Sequence, residues 1–258
     1  MPRAWGPGAR SAVRRHQLAQ MIVIGLIASA IGIAVALSID WFPIAGSTQA
    51  KKVDTLFDVL LIASVPIFVF VEVVVLFSVW KFRMRPGDEL KDGPPIHGNT
   101  LLEVVWTAIP AMLLVGLCSY AYVTLRNIEH KPKHEMVVNV TGQQFAWSFT
   151  YPAANAGAKP ITSTQLYLPK GKSVKFNVRS KDVIHDFWVP EFRIKIDAVP
   201  GITTHYRITP SRFGSYPVVC AELCGLGHST MRQTAHVMAP ADFQAWMQRK
   251  QAQASKAT

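Results

Sequence analysis

The sequence predicts a membrane-anchored all-β protein, in which transmembrane helices precede a β-sandwich or barrel. Half of the 258 residues are hydrophobic, and the mean hydropathy is +0.20, which is high for a soluble protein. The apolar residues are concentrated in the first half of the chain, whereas short β-rich segments occupy the second half. This uneven distribution separates a membrane part from an extramembrane part.

Three apolar segments come first, at residues 17–39, about 59–80 and about 104–125. A bilayer core of about 30 Å needs about 20 helical residues, so each segment can span it. Pro66 and Pro110 are compatible with membrane helices, where neighbouring groups satisfy the freed backbone. Glu72 interrupts the second segment. A carboxylate at membrane depth is costly, so it indicates either a functional site or a pairing with a partner helix.

Positive charges on the flanks orient these segments. Arginines precede the first segment and a Lys/Arg group separates the second from the third, whereas only Lys51 and Lys52 lie between the first two. The positive-inside rule therefore places the N-terminus in the cytoplasm and everything after Arg126 outside. The first segment is either a cleaved signal peptide, with Ala45-Gly46-Ser47 as the cleavage region, or an uncleaved anchor. Its length favours the anchor.

The net charge of +11 is compatible with nucleic acid or with an anionic membrane surface. The basic residues form no compact run, and many of them flank apolar stretches, where they set topology. We therefore expect membrane lipid and no nucleic acid among the partners. The expected location is a bacterial plasma membrane, with the β domain on its outer face.

The second half of the chain contains short segments rich in β-branched and aromatic residues. Turn signals such as Pro169-Lys170-Gly171 and Pro200-Gly201 separate them. This spacing predicts a β-sandwich or barrel of about 100 residues. The polar tail, 248–258, is expected to be disordered. The strands are predicted at 136–140, 145–151, 165–168, 173–179, 205–208, 215–219 and 233–237.

A metal-binding pattern lies near the end of this β-rich half. Two thiols, an imidazole and a thioether fall within twelve residues, at Cys220, Cys224, His228 and Met231. Such soft ligands favour copper or zinc over magnesium or calcium. A second imidazole is available from His185, in a separate β-rich segment.

Three other interpretations compete with a copper pair. A Cys220–Cys224 disulfide suits an extracytoplasmic domain but leaves His228 and Met231 unexplained. A structural zinc site has no use for Met231. A mononuclear blue-copper site needs only one cysteine, so the second thiol indicates two bridging thiolates and two coppers.

The segment 220–231 reads Cys-x-Glu-x-Cys-Gly-x-x-His-x-x-Met and resembles the CuA loop of cytochrome c oxidase subunit II at every position. Residues 183–190 resemble the family's strand that supplies the other histidine, and 195–201 the stretch that follows it. His97-Gly98-Asn99 and residues 103–110 resemble the entry to the family's second core helix. The resemblance covers roughly residues 54–242 and implies a cupredoxin sandwich behind a two-helix hairpin. The segment 17–39 is additional to that core.

The resemblance also implies a role for each ligand of a dinuclear copper centre. Cys220 and Cys224 would bridge the two coppers, and His185 and His228 would be terminal ligands. Met231 would be a weak ligand of one copper, and the Glu222 carbonyl a weak ligand of the other. The Glu222 carboxylate would help to hold a magnesium ion at the contact with subunit I.

The function implied by this resemblance is that of subunit II of a proton-pumping cytochrome c oxidase. Such a chain takes electrons from cytochrome c and passes them to subunit I, which carries haem and CuB and, with the other oxidase subunits, reduces O2 to water. The CuA subunit of a nitric oxide reductase is the alternative. A membrane copper carrier would not need the 103–110 motif, and quinol-oxidase subunits lack the copper ligands.

Two further positions take their expected roles from the same family. Glu103 would mark the mouth of a proton pathway into subunit I, although an acid in the first turn of a helix is also favoured by the helix dipole. Phe145 replaces the tryptophan through which electrons enter in many members, so we expect entry close to Phe145.

The expected domains are an N-terminal anchor and external loop (1–56), a helical hairpin (57–130), the CuA domain (131–242) and a tail (243–258).

Overall fold

The computed structural model describes residues 15–84, 86, 98–153 and 159–256. Within these ranges three long helices come first: α1 (Arg15–Ser38), α2 (Thr48–Phe82) and α3 (Thr100–Ile128). Each is long and apolar enough to cross a membrane. Most of their large apolar side chains are exposed, as expected for helices that contact lipid or other membrane subunits. The three predicted spans are confirmed.

The β part forms a sandwich of two five-stranded sheets within the described residues, with the orders β3-β2-β1-β5-β8 and β4-β10-β9-β6-β7. Two neighbour pairs are parallel, β1 with β5 and β4 with β10, and the other pairs are antiparallel. The strands are β1 (Met136–Gln143), β2 (Ala146–Tyr151), β3 (Ile161–Ser163), β4 (Leu166–Pro169), β5 (Val174–Ser180), β6 (His185–Val189), β7 (Ile194–Ala198), β8 (Thr204–Ile208), β9 (Gly214–Cys220) and β10 (Arg232–Met238).

The core of the sandwich follows the alternation of the strands. Trp147, Phe149 and Tyr151 occupy every second position of β2 and are almost fully buried, which confirms that they share one face. Phe187 from the opposite sheet packs against the first two of these rings, with centroids 5.6 and 6.2 Å away. Aromatic packing of this kind fixes β6 over β2, and β6 begins with a predicted metal ligand.

The loop between α1 and α2 is part of the same compact unit as the sandwich, which comprises residues 41–56 and 115–258. Ser47 is fully buried and caps α2, because its hydroxyl oxygen accepts a hydrogen bond from the Ala50 N–H at 3.0 Å. The same hydroxyl donates to the Phe192 carbonyl at 3.1 Å. Thr48 N–H donates to the Thr209 carbonyl at 3.0 Å. These bonds attach the start of α2 to the sandwich.

Arg193 binds both this loop and the start of α2. Its guanidinium forms two hydrogen bonds with the Asp54 carboxylate, at 2.7 and 3.0 Å, a paired geometry that suits a planar guanidinium. It also donates to the carbonyls of Pro43 and Pro190, both at 2.7 Å, and lies over the Phe42 ring. The Arg193 side chain is only 6% exposed, whereas Asp54 is 30% exposed, so the cluster buries the guanidinium and leaves the carboxylate partly open to water.

The expectation of a disordered tail is wrong, because residues Pro240–Lys256 form a helix, α4. Proline at the first helical position and Asp242 in the first turn favour its start. Phe243 and Trp246 lie three residues apart on one face and are buried. Trp246 stacks on Tyr167 with a centroid distance of 4.4 Å and meets Tyr151 edge-on at 5.1 Å. The polar composition of the tail concealed this short apolar face.

Removing the Trp246 ring is therefore expected to destabilise the sandwich. We expect Trp246→Ala to lower the free energy of unfolding by about 3–5 kcal/mol, the usual cost of removing a large aromatic side chain from a core. Denaturant unfolding of the detergent-solubilised chain, followed by near-UV circular dichroism, measures this change. Gln248→Ala, at an exposed position of the same helix, is the control. Equal stabilities of the two variants would mean that α4 does not pack on the sandwich.

Candidate metal centre

Backbone pairing brings together ligands that are distant in sequence. His185 is the first residue of β6, and Cys220 is the last residue of β9. These strands pair with Phe187 opposite Cys220, so both side chains lie at the same end of the sheet. The Cys220 N–H donates to the Met231 carbonyl at 3.2 Å, which closes the loop between β9 and β10. The loop thereby folds back over the end of β6.

The six predicted donor groups converge in two sets of three, one around each thiol. His185 Nδ1 and the Glu222 carbonyl oxygen lie 3.9 and 3.2 Å from Cys220 Sγ. His228 Nδ1 and Met231 Sδ lie 3.7 and 4.0 Å from Cys224 Sγ. The two sulfurs are 3.9 Å apart. Each thiol thus has its own imidazole and its own weak donor.

The thiols are buried and reduced. Cys220 and Cys224 are 7% and 5% exposed, and neither forms a disulfide in the part of the chain that the structure describes. Burial first, and then the neighbouring Cys220 thiol, raise the pKa of Cys224 to about 11. Without metal this thiol is therefore protonated at neutral pH. Because metal ligands must be deprotonated, metal binding here releases protons.

This donor set fits a pair of soft metal ions better than a single ion. A mononuclear zinc or copper site uses about four donors around one centre. Here the imidazoles lie beside different sulfurs, and each sulfur has a further weak donor. Two thiolates that lie 3.9 Å apart can each bridge two ions between the imidazoles. The arrangement leaves no predicted ligand unused, and the copper pair stays a prediction.

Asp182 positions the first imidazole, a role that the sequence did not indicate. Its Oδ1 accepts a hydrogen bond from His185 Nε2 at 2.8 Å, which leaves Nδ1 free to bind metal. Its Oδ2 accepts from the Gln144 N–H at 2.7 Å. Desolvation opposes ionisation of Asp182, but the hydrogen bonds from Gln144, His185, Val183 and Ser180 outweigh it and lower its pKa to about 2. Its place three residues before a histidine ligand was the available signal.

Gly142 and Trp147 pack against the His185 imidazole. The Trp147 ring lies edge-on to the imidazole, with centroids 6.0 Å apart. A Cβ atom on Gly142 would lie 3.0 Å from both His185 and Trp147, so only glycine leaves room for them. His185 itself is fully buried. The imidazole is therefore fixed both by packing and by its bond to Asp182.

Phe145 lies against the metal loop, at the surface. It follows β1 in the turn before β2, and it is 36% exposed. Its ring contacts the loop at Gly225 and Gly227, where an added Cβ on Gly227 would collide with the ring. Gly227 directly precedes His228. The structure therefore brings Phe145 beside the ligand loop.

The two acidic positions near the loop have different environments. The Glu222 side chain is exposed, while its carbonyl oxygen points towards Cys220 Sγ. Asp186 is only 5% exposed, and Lys195 Nζ lies 3.8 Å from its carboxylate. Burial chiefly raises the pKa of Asp186, against the attraction of Lys195. Glu222 can thus serve the centre through its backbone and an outside partner through its carboxylate.

Glu103 lies in the first turn of α3, a helix that carries none of the predicted metal ligands. Its Oε1 accepts a hydrogen bond from the Asn99 N–H at 3.3 Å, and Asn99 Oδ1 accepts from the Leu102 N–H at 3.1 Å. This reciprocal cap gives Glu103 a structural role at the helix start. His97, part of the motif that precedes it, lies outside the described residues. The role of Glu103 in proton uptake stays a prediction.

Comparisons with known proteins place both parts of the chain in one family. Residues 154–237 match the family described as the periplasmic domain of cytochrome c oxidase subunit II, and residues 21–123 match its transmembrane domain. Cytochrome c oxidase subunit 2 of Thermostichus vulcanus is 35% identical over 264 residues, covering 81% of this chain and 78% of that protein. The subunit 2 of Synechocystis is 29% identical over 273 residues, covering 88% and 80%. The periplasmic domain of the Bradyrhizobium japonicum subunit II aligns with a TM-score of 0.43 at 27% identity, over 47% of this chain and 97% of that domain.

The bond from His185 to Asp182 leads to a prediction about metal affinity. In Asp182→Asn only one side-chain oxygen remains, so either the Gln144 N–H or the His185 N–H loses its acceptor. Partners of this kind typically contribute about 10–100-fold to metal affinity, and we expect a loss in that range. Competition with a chelator of known affinity measures it. Asp242→Asn, an exposed acid in α4, is the control, and equal affinities in both variants would contradict the positioning role.

Proposed function

The chain belongs to the cytochrome c oxidase subunit II family, and we propose that it receives electrons from a cytochrome c at a dinuclear copper centre, CuA. From there it would pass them to the haem of subunit I, for reduction of O2 to water coupled to proton pumping. The observation that carries this proposal is the pairing of donors around two adjacent thiols. His185 and the Glu222 carbonyl lie beside Cys220, and His228 and Met231 lie beside Cys224.

The geometry supports a specific assignment of these ligands. Both cysteines would bridge the two ions, while His185 and the Glu222 carbonyl would complete one coordination shell. His228 and Met231 would complete the other. When bound, the copper pair supplies a site that gains and loses one electron shared between two thiolate-bridged ions. Such sharing spreads the change in charge over many bonds, so the surrounding ligands need to move little.

The chain contributes rigidity and a dry environment to this electron transfer. His185 and Met231 are fully buried, and the thiols nearly so, which excludes bulk water from these four side chains. Three of the ligands are attached to paired strands or to their ends, and groups on such elements are held more firmly than groups on free loops. Phe145, exposed beside the loop, would be the place at which electrons enter.

We further propose how the chain sits in its complex. The three apolar helices make it a membrane protein with an extramembrane β domain. By family resemblance and the positive-inside rule, that domain would face the outer side of the membrane. The exposed carboxylate of Glu222 would hold magnesium at the contact with subunit I. The alternative of a nitric oxide reductase subunit is not favoured, because the relatives compared above carry the name cytochrome c oxidase subunit 2.

The first consequence is a metal count. The purified full-length chain is expected to bind two coppers, to be purple and to give the electron paramagnetic resonance spectrum of a mixed-valence pair. Cys220→Ser and Cys224→Ser should each abolish that spectrum, because each removes a bridge. Met231→Leu should retain copper and shift its reduction potential, since axial ligands tune thiolate copper. One zinc per chain in the native complex would sink the proposal.

A second consequence concerns proton uptake through Glu103. We expect Glu103→Gln to slow oxygen turnover of the assembled oxidase without loss of copper or of assembly. A glutamine oxygen can still accept the Asn99 N–H bond, so the substitution removes the charge and leaves the helix cap. Glu103→Ala, which removes both, is the comparison. Unchanged turnover in Glu103→Gln would leave only the capping role.

The charge around the site bears on the electron donor. Between Glu135 and Pro240 there are eleven Lys and Arg and six Asp and Glu, a net charge of +5. The sequence leaves three kinds of donor open: one that is acidic, one that is apolar at its contact face, or one held nearby on the membrane. Leu223 and Leu226 of the metal loop are largely exposed. Phe145 packs on Gly225 and Gly227, the two residues that flank Leu226. These side chains support the apolar contact face.

The positive charge of the β domain predicts how the rate depends on ionic strength. Complementary charge mainly sets the rate of association, and salt screens it. A basic cytochrome c should therefore gain no rate at low salt, and an apolar donor should react at a rate that depends little on salt. Steady-state oxidation of a basic and an acidic cytochrome c across ionic strength measures this. A basic donor that reacts faster at low salt and slows as salt rises would contradict it.

A further inference from the structure

We propose that Gln144 is a positioning residue that couples the electron-entry ring of Phe145 to the metal ligands through its side-chain amide. The inference rests on the proposed entry of electrons at Phe145. Gln144 lies in the short turn between β1 and β2, directly before Phe145. Its side chain binds the metal loop at Cys224, and its backbone binds Asp182, which in turn binds His185.

The side-chain amide reaches the metal loop. Gln144 Nε2 donates a hydrogen bond to the carbonyl oxygen of Cys224 at 2.6 Å. Cys224 carries one of the two paired thiols, so this amide is bonded to the backbone of a bridging ligand. Cys224 lies outside the strands, so its carbonyl takes no part in a β-ladder. The Gln144 amide holds this carbonyl in place.

The backbone of Gln144 reaches the other ligand element. Its N–H donates to Asp182 Oδ2 at 2.7 Å, and Asp182 Oδ1 accepts from His185 Nε2 at 2.8 Å. One residue thus connects to both ligand pairs, to Cys224 directly and to His185 through a carboxylate. Movement of the turn would disturb both connections together.

The ring of Phe145 and the side-chain amide of Gln144 both pack against the same glycine of the metal loop, Gly225. A Cβ added to Gly225 would lie 3.0 Å from Gln144 Nε2 and 3.2 Å from Phe145 Cζ. Gly225 also has a φ of +127°, a conformation that favours glycine. The loop therefore offers a surface without side chains, against which both groups pack. The Gln144 amide fixes the β1–β2 turn to the loop, and the turn holds the Phe145 ring at the surface beside that loop.

This arrangement offers a bonded route for the electron. Electronic coupling falls more steeply across a van der Waals gap than along covalent and hydrogen bonds. From the Phe145 backbone, covalent bonds lead through Gln144 to the amide N–H, across one hydrogen bond to the Cys224 carbonyl, and then to Sγ. Without the amide, the ring still meets the loop through its van der Waals contacts with Gly225 and Gly227, across which coupling is weaker. One electron leaves the donor and arrives at the copper pair, with no bond made or broken and no proton moved.

The test uses the assembled oxidase with Gln144→Met, which keeps the length of the side chain and removes its N–H donor. The neighbouring exposed Gln143→Met is the matched control. Copper content, the visible spectrum of the copper pair, the KM for the donor and the first-order rate of electron transfer within the donor complex after a laser flash are measured. We expect Gln144→Met to keep two coppers, an unchanged spectrum and an unchanged KM, with a several-fold slower first-order rate. The control should match the unsubstituted protein.

A wild-type first-order rate in Gln144→Met would overturn the proposal. Loss of copper or a changed spectrum in that variant would overturn it too, because the amide would then only shape the loop. Phe145→Leu, measured in the same way, separates this inference from the proposed entry site. A slow Phe145→Leu with a normal Gln144→Met refutes the coupling role alone. A normal Phe145→Leu refutes entry at Phe145 and, with it, the coupling proposed here.

Discussion

The pairing of β6 with β9 is the constraint on which the metal centre depends. It aligns Phe187 with Cys220, and so brings His185, at the start of one strand, beside a thiol at the end of the other. Residues 185 and 220 are distant in sequence, and only the sheet joins them. The hydrogen bond from the Cys220 N–H to the Met231 carbonyl joins the two ends of the loop that follows Cys220. The four predicted side-chain ligands of the loop thereby lie against a fifth, His185.

Around this pairing, hydrogen bonds connect the centre to the rest of the sandwich. Asp182 fixes the orientation of His185 and the position of the β1–β2 turn, since its two oxygens bind one partner each. At another part of the same compact unit, Arg193 binds Asp54 near the start of α2 together with the Pro43 carbonyl of the preceding loop. The extramembrane part is therefore more than the contiguous β-rich segment, because residues 41–56 and α4 complete its packing.

Features with local signals could be predicted from the sequence. The three spans follow from apolar length, and most strands from β-branched and aromatic runs between turns. The predicted ligand residues followed from spacing within one segment and from a family motif, and the structure brings these residues together, while their binding of metal stays a prediction. Features that depend on distant partners could not be predicted. The apolar face of α4 has only two buried rings, Phe243 and Trp246, and their partners lie on β2 and β4. Likewise, the bonds from Gln144 to Asp182 and to Cys224 are contacts across the fold that no local pattern encodes.

The central claim is that the two thiols hold two metal ions in common. X-ray absorption at the copper edge of the purified full-length chain tests it most directly, because scattering from neighbouring atoms reports which atoms surround each copper. The account predicts copper surrounded by two sulfurs and an imidazole nitrogen, together with scattering from a second copper at short range. A spectrum with sulfur and nitrogen neighbours but no copper–copper scattering, at full metal loading, would contradict it.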